Sequence, residues 1–128
     1  MGLMYASIRV KDMKKSVGFY TKSMGLKVIG RRSPIPHEEI VMLEDRKTGQ
    51  RLNLMWYGKK CRWYAPYKMD GVELDHLMFE VDDARKAFAK LVKKGAPVAF
   101  DLMEREGRAF AMVKDPNGIW IGLMSENK

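Results

Sequence analysis

The sequence predicts an α+β fold made of two βαβββ modules in tandem, with curved mixed sheets and one helix per module. Three observations carry that prediction. Apolar residues alternate with period two in seven or eight short runs. Two longer runs carry helical spacing behind an aspartate. The whole order of elements occurs twice in 128 residues. Neither half, with one sheet and one helix, could bury its own apolar face, so the halves are expected to complete a core together, within the chain or across a dimer.

The first run, 3–10, alternates Tyr5, Ser7 and Arg9 against Met4, Ala6, Ile8 and Val10 and reads as a strand. Asp12 is a good N-cap, because its side chain can accept a bond from a first-turn amide. Behind it Met13, Val17, Tyr20 and Met24 recur at spacings of four, three and four, one helical face, and Gly25 is the stop. A short strand at 26–29, a loop with Pro34 and Pro36, a strand at 39–44, a turn at 45–50 and a strand at 51–57 complete the first half.

The second half repeats it. A strand at 74–81 contains His76, one of two histidines. Asp83 caps a helix whose apolar face is Ala84, Ala87, Phe88, Leu91 and Val92, and Gly95 stops it. A short strand at 97–100, a charged loop at 101–107, a strand at 108–114, the turn Asp-Pro-Asn-Gly and a strand at 119–124 follow. Val10 matches Val81 and Asp12 matches Asp83 at an offset of 71; Met42 matches Met112 at 70; Asn53 matches Gly122 at 69. Two single-residue deletions explain the drift. We therefore expect one domain over 1–128, with module one at 1–57, a connecting segment at 58–72 and module two at 73–128. The connecting segment carries Trp63, Tyr64 and Tyr67, too many aromatics for a passive linker. It is expected to cover a pocket or a dimer interface. Cys61 lies in it among Lys59, Lys60 and Arg62, with no histidine base close in sequence, and reads as incidental.

Composition bounds the partners. A net charge of +8 points toward an anionic ligand and away from a large cationic drug. The lysines fall in scattered pairs with no nucleic-acid motif, so no specific nucleic acid is expected. No apolar run reaches the length of a membrane span, and charges at Arg9, Lys11 and Asp12 interrupt any leader-like stretch at Met1–Lys15, so no membrane partner is expected. One cysteine fits a reducing, cytoplasmic setting. Eleven methionines are core filler or an adaptable pocket lining.

Strand parity then assigns faces. If His76 faces the concave side, so do Leu74, Met78 and Glu80, and through the repeat Tyr5, Ser7 and Arg9. Asn53, Met55 and Tyr57 share one face of their strand, as Trp120, Gly122 and Met124 share one of theirs. The candidate ligand-binding set is Tyr5, Arg9, Asn53, Met55, Tyr57, Met78, Glu80, Trp120 and Met124, with His76 as the candidate acid or base. It is large, soft and mostly apolar, suited to a small apolar, aromatic or anionic ligand. The alternative is a filled core closed by an Arg9–Glu80 pair.

The stretches 8–28 (IRVKDMKKSVGFYTKSMGLKV), 74–98 (LDHLMFEVDDARKAFAKLVKKGAPV) and 113–121 (VKDPNGIWI) resemble the vicinal oxygen chelate superfamily: glyoxalase I, bleomycin-resistance proteins and extradiol dioxygenases. The resemblance implies paired modules forming an open cup-like barrel with helices outside, in a homodimer. It implies a lactoylglutathione lyase-like enzyme on a small anionic or thiol-conjugated carbonyl compound, or a metal-free drug- or metabolite-binding relative. Glyoxalase-like members hold a divalent metal (Ni, Zn, Mn, Co or Fe) with four side chains, and the matching positions here are Tyr5, Asn53, His76 and Gly122. The family's His, Glu, His, Glu survives only at His76, so no cofactor is expected. Arg9 matches the arginine that contacts the glutathione carboxylate, and Tyr57 stands where glyoxalase I has an asparagine. His37, in His-Glu-Glu, lacks a second histidine at helical spacing and reads as a loop end.

Overall fold

The computed structural model describes residues 3–68 and 74–126. The chain divides into two compact units, Met1–Tyr67 and Lys68–Lys128. Part of the connecting segment expected at 58–72, from Met69 onward, lies outside the described residues.

The first unit runs β1 (Ala6–Arg9), α1 (Met13–Gly18), a π-helical turn (Phe19–Ser23), β2 (Lys27–Arg32), β3 (Glu38–Glu44) and β4 (Arg51–Tyr57). The second runs β5 (Leu77–Glu80), α2 (Ala84–Lys93), β6 (Val98–Arg105), β7 (Arg108–Lys114) and β8 (Trp120–Glu126). The sheets have the same order, β1-β4-β3-β2 and β5-β8-β7-β6. In each, the first and last strands of the module pair in parallel and the other neighbours are antiparallel. The fold is thus α+β with two mixed four-stranded sheets.

The register reproduces the repeat residue by residue. Ser7 pairs with Asn53 and Met42 with Asn53; Met78 pairs with Gly122 and Met112 with Gly122. The ladder even breaks at the same place, between Val28 and Gly30 in β2 and between Val98 and Phe100 in β6.

Both helices start as the aspartates dictate. Asp12 Oδ1 accepts the Lys15 amide at 3.0 Å and Asp83 Oδ1 the Lys86 amide at 3.1 Å, each from an extended backbone. Both end on a glycine at positive φ, Gly25 at 81° and Gly95 at 101°, where a side chain would be strained. Each helix covers one face of its own sheet. Tyr20, Ile8, Val10, Val41, Leu43, Leu52 and Leu54 are buried in the first unit. Ala84, Leu91, Ala111, Val113, Ile121 and Leu123 are buried in the second. Burial of one such Leu or Ile contributes about 1.5–3 kcal/mol.

Four expectations need correction. The first helix is not regular throughout. The Met24 amide reaches back five residues to the Phe19 carbonyl at 3.1 Å, and the Thr21 hydroxyl donates to the Val17 carbonyl at 2.6 Å, widening the turn. The span 101–107 is not a loop: β6 continues to Arg105, and the hairpin turns at Glu106 and Gly107, both at positive φ. Its charges sit on an exposed strand, where Arg85 pairs with Glu104. Val92 lies at the exposed edge of α2 rather than on its buried face. Finally, His76 precedes β5 and Tyr5 precedes β1. In the turn before β8, Asp115 donates its amide to the Ile119 carbonyl (2.9 Å), and its Oδ1 accepts the Ile119 amide (2.8 Å).

Candidate functional site

In both units the face away from the helix carries the candidate residues, as parity requires. In the first unit, β1 and β4 place Ser7 beside Asn53 and Arg9 beside Met55, with Tyr57 two residues further along β4. In the second, β5 and β8 place Met78 beside Gly122 and Glu80 beside Met124, with Trp120 at the start of β8. Met78 and Trp120 are each 40% exposed, large apolar side chains with one free surface. Tyr5 is 47% exposed and immediately precedes β1.

Arg9 is the most constrained side chain of the set. Its guanidinium carbon lies 5.5 Å from the ring centre of Tyr57, 5.7 Å from that of Tyr64 and 5.7 Å from that of Tyr67. One terminal nitrogen donates to the Ala65 carbonyl, and the Tyr67 hydroxyl donates to the Arg9 carbonyl at 3.4 Å. Its Nε is buried and has no hydrogen-bond partner among the described residues. Rings at this distance favour the cation by about 0.5–2 kcal/mol each, more when water is excluded. Burial pushes the Tyr57 phenol above its ordinary value; the nearby Glu38 carboxylate and Cys61 add to that, and Arg9 opposes it.

Sequence reasoning named Arg9 and Tyr57 but missed Tyr64, Ala65 and Tyr67 as their partners. The signal was there in the aromatic content of the connecting segment. The Gly58 amide ties its start to the His37 carbonyl (2.8 Å), and two successive turns follow, the Cys61 amide to Gly58 (2.8 Å) and the Tyr64 amide to Cys61 (3.0 Å). Cys61 is buried by these turns, and Trp63 is exposed with the Arg62 guanidinium 4.8 Å from its ring centre. His37 is exposed at a φ of 65°, a loop end.

The four positions expected to hold a metal do not suit one. His76 is an imidazole donor, and its Nδ1 already sits 2.7 Å from Asp75 Oδ1. Asn53 is buried and offers an amide, and Tyr5 offers a phenol, both poor ligands for a borderline divalent ion. Gly122 offers nothing, and a Cβ built there would meet Met78 Sδ and Cε at 2.6 Å. Among the described residues no three of His, Cys, Asp and Glu converge as a metal-holding group.

Two tandem βαβββ modules with matched registers and four symmetric positions opening on one face of each sheet define the glyoxalase-type architecture. A family model for the Glyoxalase/Bleomycin resistance protein/Dioxygenase superfamily matches residues 2–123, and the chain belongs to that superfamily. It is 28% identical over 134 residues to the lactoylglutathione lyase of Escherichia coli O157:H7, covering 98% of this chain and 93% of that one. A glyoxalase family protein from Bacillus cereus superposes with a TM-score of 0.82 at 21% identity, covering 98% and 94% of the two chains. An antibiotic binding protein from Streptomyces sp. CB03234 superposes with a TM-score of 0.71 at 22% identity, covering 98% and 96%. No helix among the described residues is long and apolar enough to cross a membrane.

Proposed function

We propose that this chain binds a small planar molecule carrying an anionic group, without a metal ion, on the face of the first unit's sheet that holds Arg9. One observation carries the reading: the position that should present the fourth metal ligand is Gly122, and the Met78 thioether lies over it. A soft apolar side chain thus stands where a carboxylate would both hold metal and take a substrate proton. In the first unit Arg9 supplies a fixed charge and Tyr57 polarisable surface suited to a flat ligand; in the second unit Met78, Trp120 and Met124 give that sheet a soft face of its own. The +8 charge draws anions toward the chain. An antibiotic binding protein from Streptomyces sp. CB03234 shares this fold, which supports the binding reading. The ligand-binding set proposed is the one expected from parity: Tyr5, Arg9, Asn53, Met55, Tyr57, Met78, Glu80, Trp120 and Met124. A homodimer in the cytoplasm is part of the same reading.

A second reading keeps lyase chemistry, because the curated relatives that cover 98% of this chain are lactoylglutathione lyases. In that reading His76 is the acid or base, held by Asp75. Thermal-shift and calorimetric screening against planar carboxylates, with and without Ni²⁺ or Zn²⁺, separates the two. Saturable stabilisation in the presence of a chelator supports binding. Turnover of the glutathione–methylglyoxal hemithioacetal that requires added metal supports the lyase.

A further inference from the structure

We propose that residues 58–67 form a strap latched onto Arg9, and that an anionic group opens it by taking the place of the Ala65 carbonyl on the guanidinium. The latch has three parts, all within the first unit. The Ala65 carbonyl accepts from one terminal nitrogen of Arg9. Tyr64 and Tyr67 of the strap face the guanidinium, with Tyr57 of β4 as the third ring. The Tyr67 hydroxyl donates to the backbone carbonyl of Arg9 itself. One strand residue thereby holds a ten-residue segment that carries two turn bonds, Cys61 to Gly58 and Tyr64 to Cys61, and is tied at its start by the Gly58 amide on the His37 carbonyl.

The closed state leaves a defect that identifies what opens it. Among the described residues the buried Arg9 Nε–H has no partner, while the neighbouring terminal nitrogen is spent on a neutral carbonyl. A carboxylate presents two oxygens to one edge of a guanidinium, bonds both nitrogens at once, and is a stronger acceptor than an amide oxygen. Entry of such a group would pair the buried donor and displace Ala65. The three rings would be left to stack on the planar remainder of the ligand. The strap is then a gate whose key is charge together with planarity, and Tyr64 and Tyr67 become specificity residues beside those expected on the sheet. The ligand-operated half of this proposal rests on the binding function proposed above; the latch itself does not.

Amide hydrogen exchange tests it, with benzoate as the probe and neutral benzamide as its control. In the intact chain the amides of Cys61 and Tyr64 should be protected, and Arg9→Gln should speed their exchange roughly tenfold or more. Exchange at Leu43 and Leu54 should stay slow, showing that the sheet is intact. Tyr64→Ala removes one of the three rings on Arg9, itself partly exposed, and should loosen the same amides by a smaller factor, so the test survives if Arg9→Gln fails to fold. Saturating benzoate should speed Cys61 and Tyr64 exchange in the wild-type chain, benzamide should not, and Arg9→Gln should respond to neither. Unchanged exchange in both variants would overturn the latch. Calorimetry on the same samples separates the two ideas. Benzoate that binds without loosening the strap removes the gate and leaves the binding function standing; no binding at all removes the ligand-operated gate and counts against the binding function.

Discussion

Met78 and Gly122 face each other across the parallel pair β5–β8, and the thioether of one fills the space that a side chain on the other would need. The two residues are a matched pair. A bulky residue at 122 and a methionine pointing inward at 78 are mutually exclusive in this geometry. In the first unit the equivalent pair is Ser7 and Asn53, where a small residue faces an amide.

Gly122→Ala therefore crowds Met78 rather than backbone, whose nearest atom, the Leu77 carbonyl oxygen, would lie at an ordinary 3.6 Å. Met78 is partly exposed and can swing away, so the cost should sit at the low end of overpacking, about 1 kcal/mol. Adding Met78→Ala should recover most of it. Urea denaturation of the two singles and the double reads the coupling; additive losses would show that the pair does not compete for space.

Asp115 is the residue whose loss should cost most outside the apolar core. Its buried carboxylate accepts the Asn117 amide at 2.7 Å, the Ile119 amide at 2.8 Å and the Asn117 side-chain amide at 2.9 Å. Asp115→Ala leaves those buried donors without this acceptor and should destabilise the chain by about 3 kcal/mol, measured as a shift in the urea midpoint.

Tyr57 makes stability fall in alkali. Its phenol has a folded-state pKa above the ordinary 10.0, through burial first and Glu38 second. The folded chain then holds the phenolic proton to a higher pH than the unfolded chain does. The associated stability is complete below about pH 10 and is lost as pH rises toward the folded value. Tyr57→Phe should flatten that loss in melts taken between pH 9 and 11.5. Arg9→Gln removes the charge that favours the phenolate and should move the Tyr57 titration, followed by ultraviolet absorbance, still higher.

The fold was legible because each half of the chain repeats its signals: an aspartate cap, a glycine stop, and period-two strands with one residue lost in each of two turns. Asp12, Asp83, Gly25 and Gly95 act as the local chemistry says they should. The faces were legible for the same reason, since parity is conserved through any unbroken strand. Local pattern could not show that Asp115 would bond the Ile119 amide or that the Thr21 hydroxyl would take the Val17 carbonyl, because both depend on a side chain competing for backbone groups. It also could not place Tyr64 and Tyr67 on Arg9, a contact spanning more than fifty residues. Composition marked the segment, and only the folded chain shows what it grips.

Calorimetric titration of a planar aromatic carboxylate into the chain, once in a chelator and once in excess Ni²⁺, tests the account most directly. We expect one saturable site with the same affinity in both buffers, weakened tenfold or more by Arg9→Gln (about 1.4 kcal/mol) and little affected by His76→Ala. Binding that appears only with Ni²⁺ and disappears with His76→Ala would contradict it.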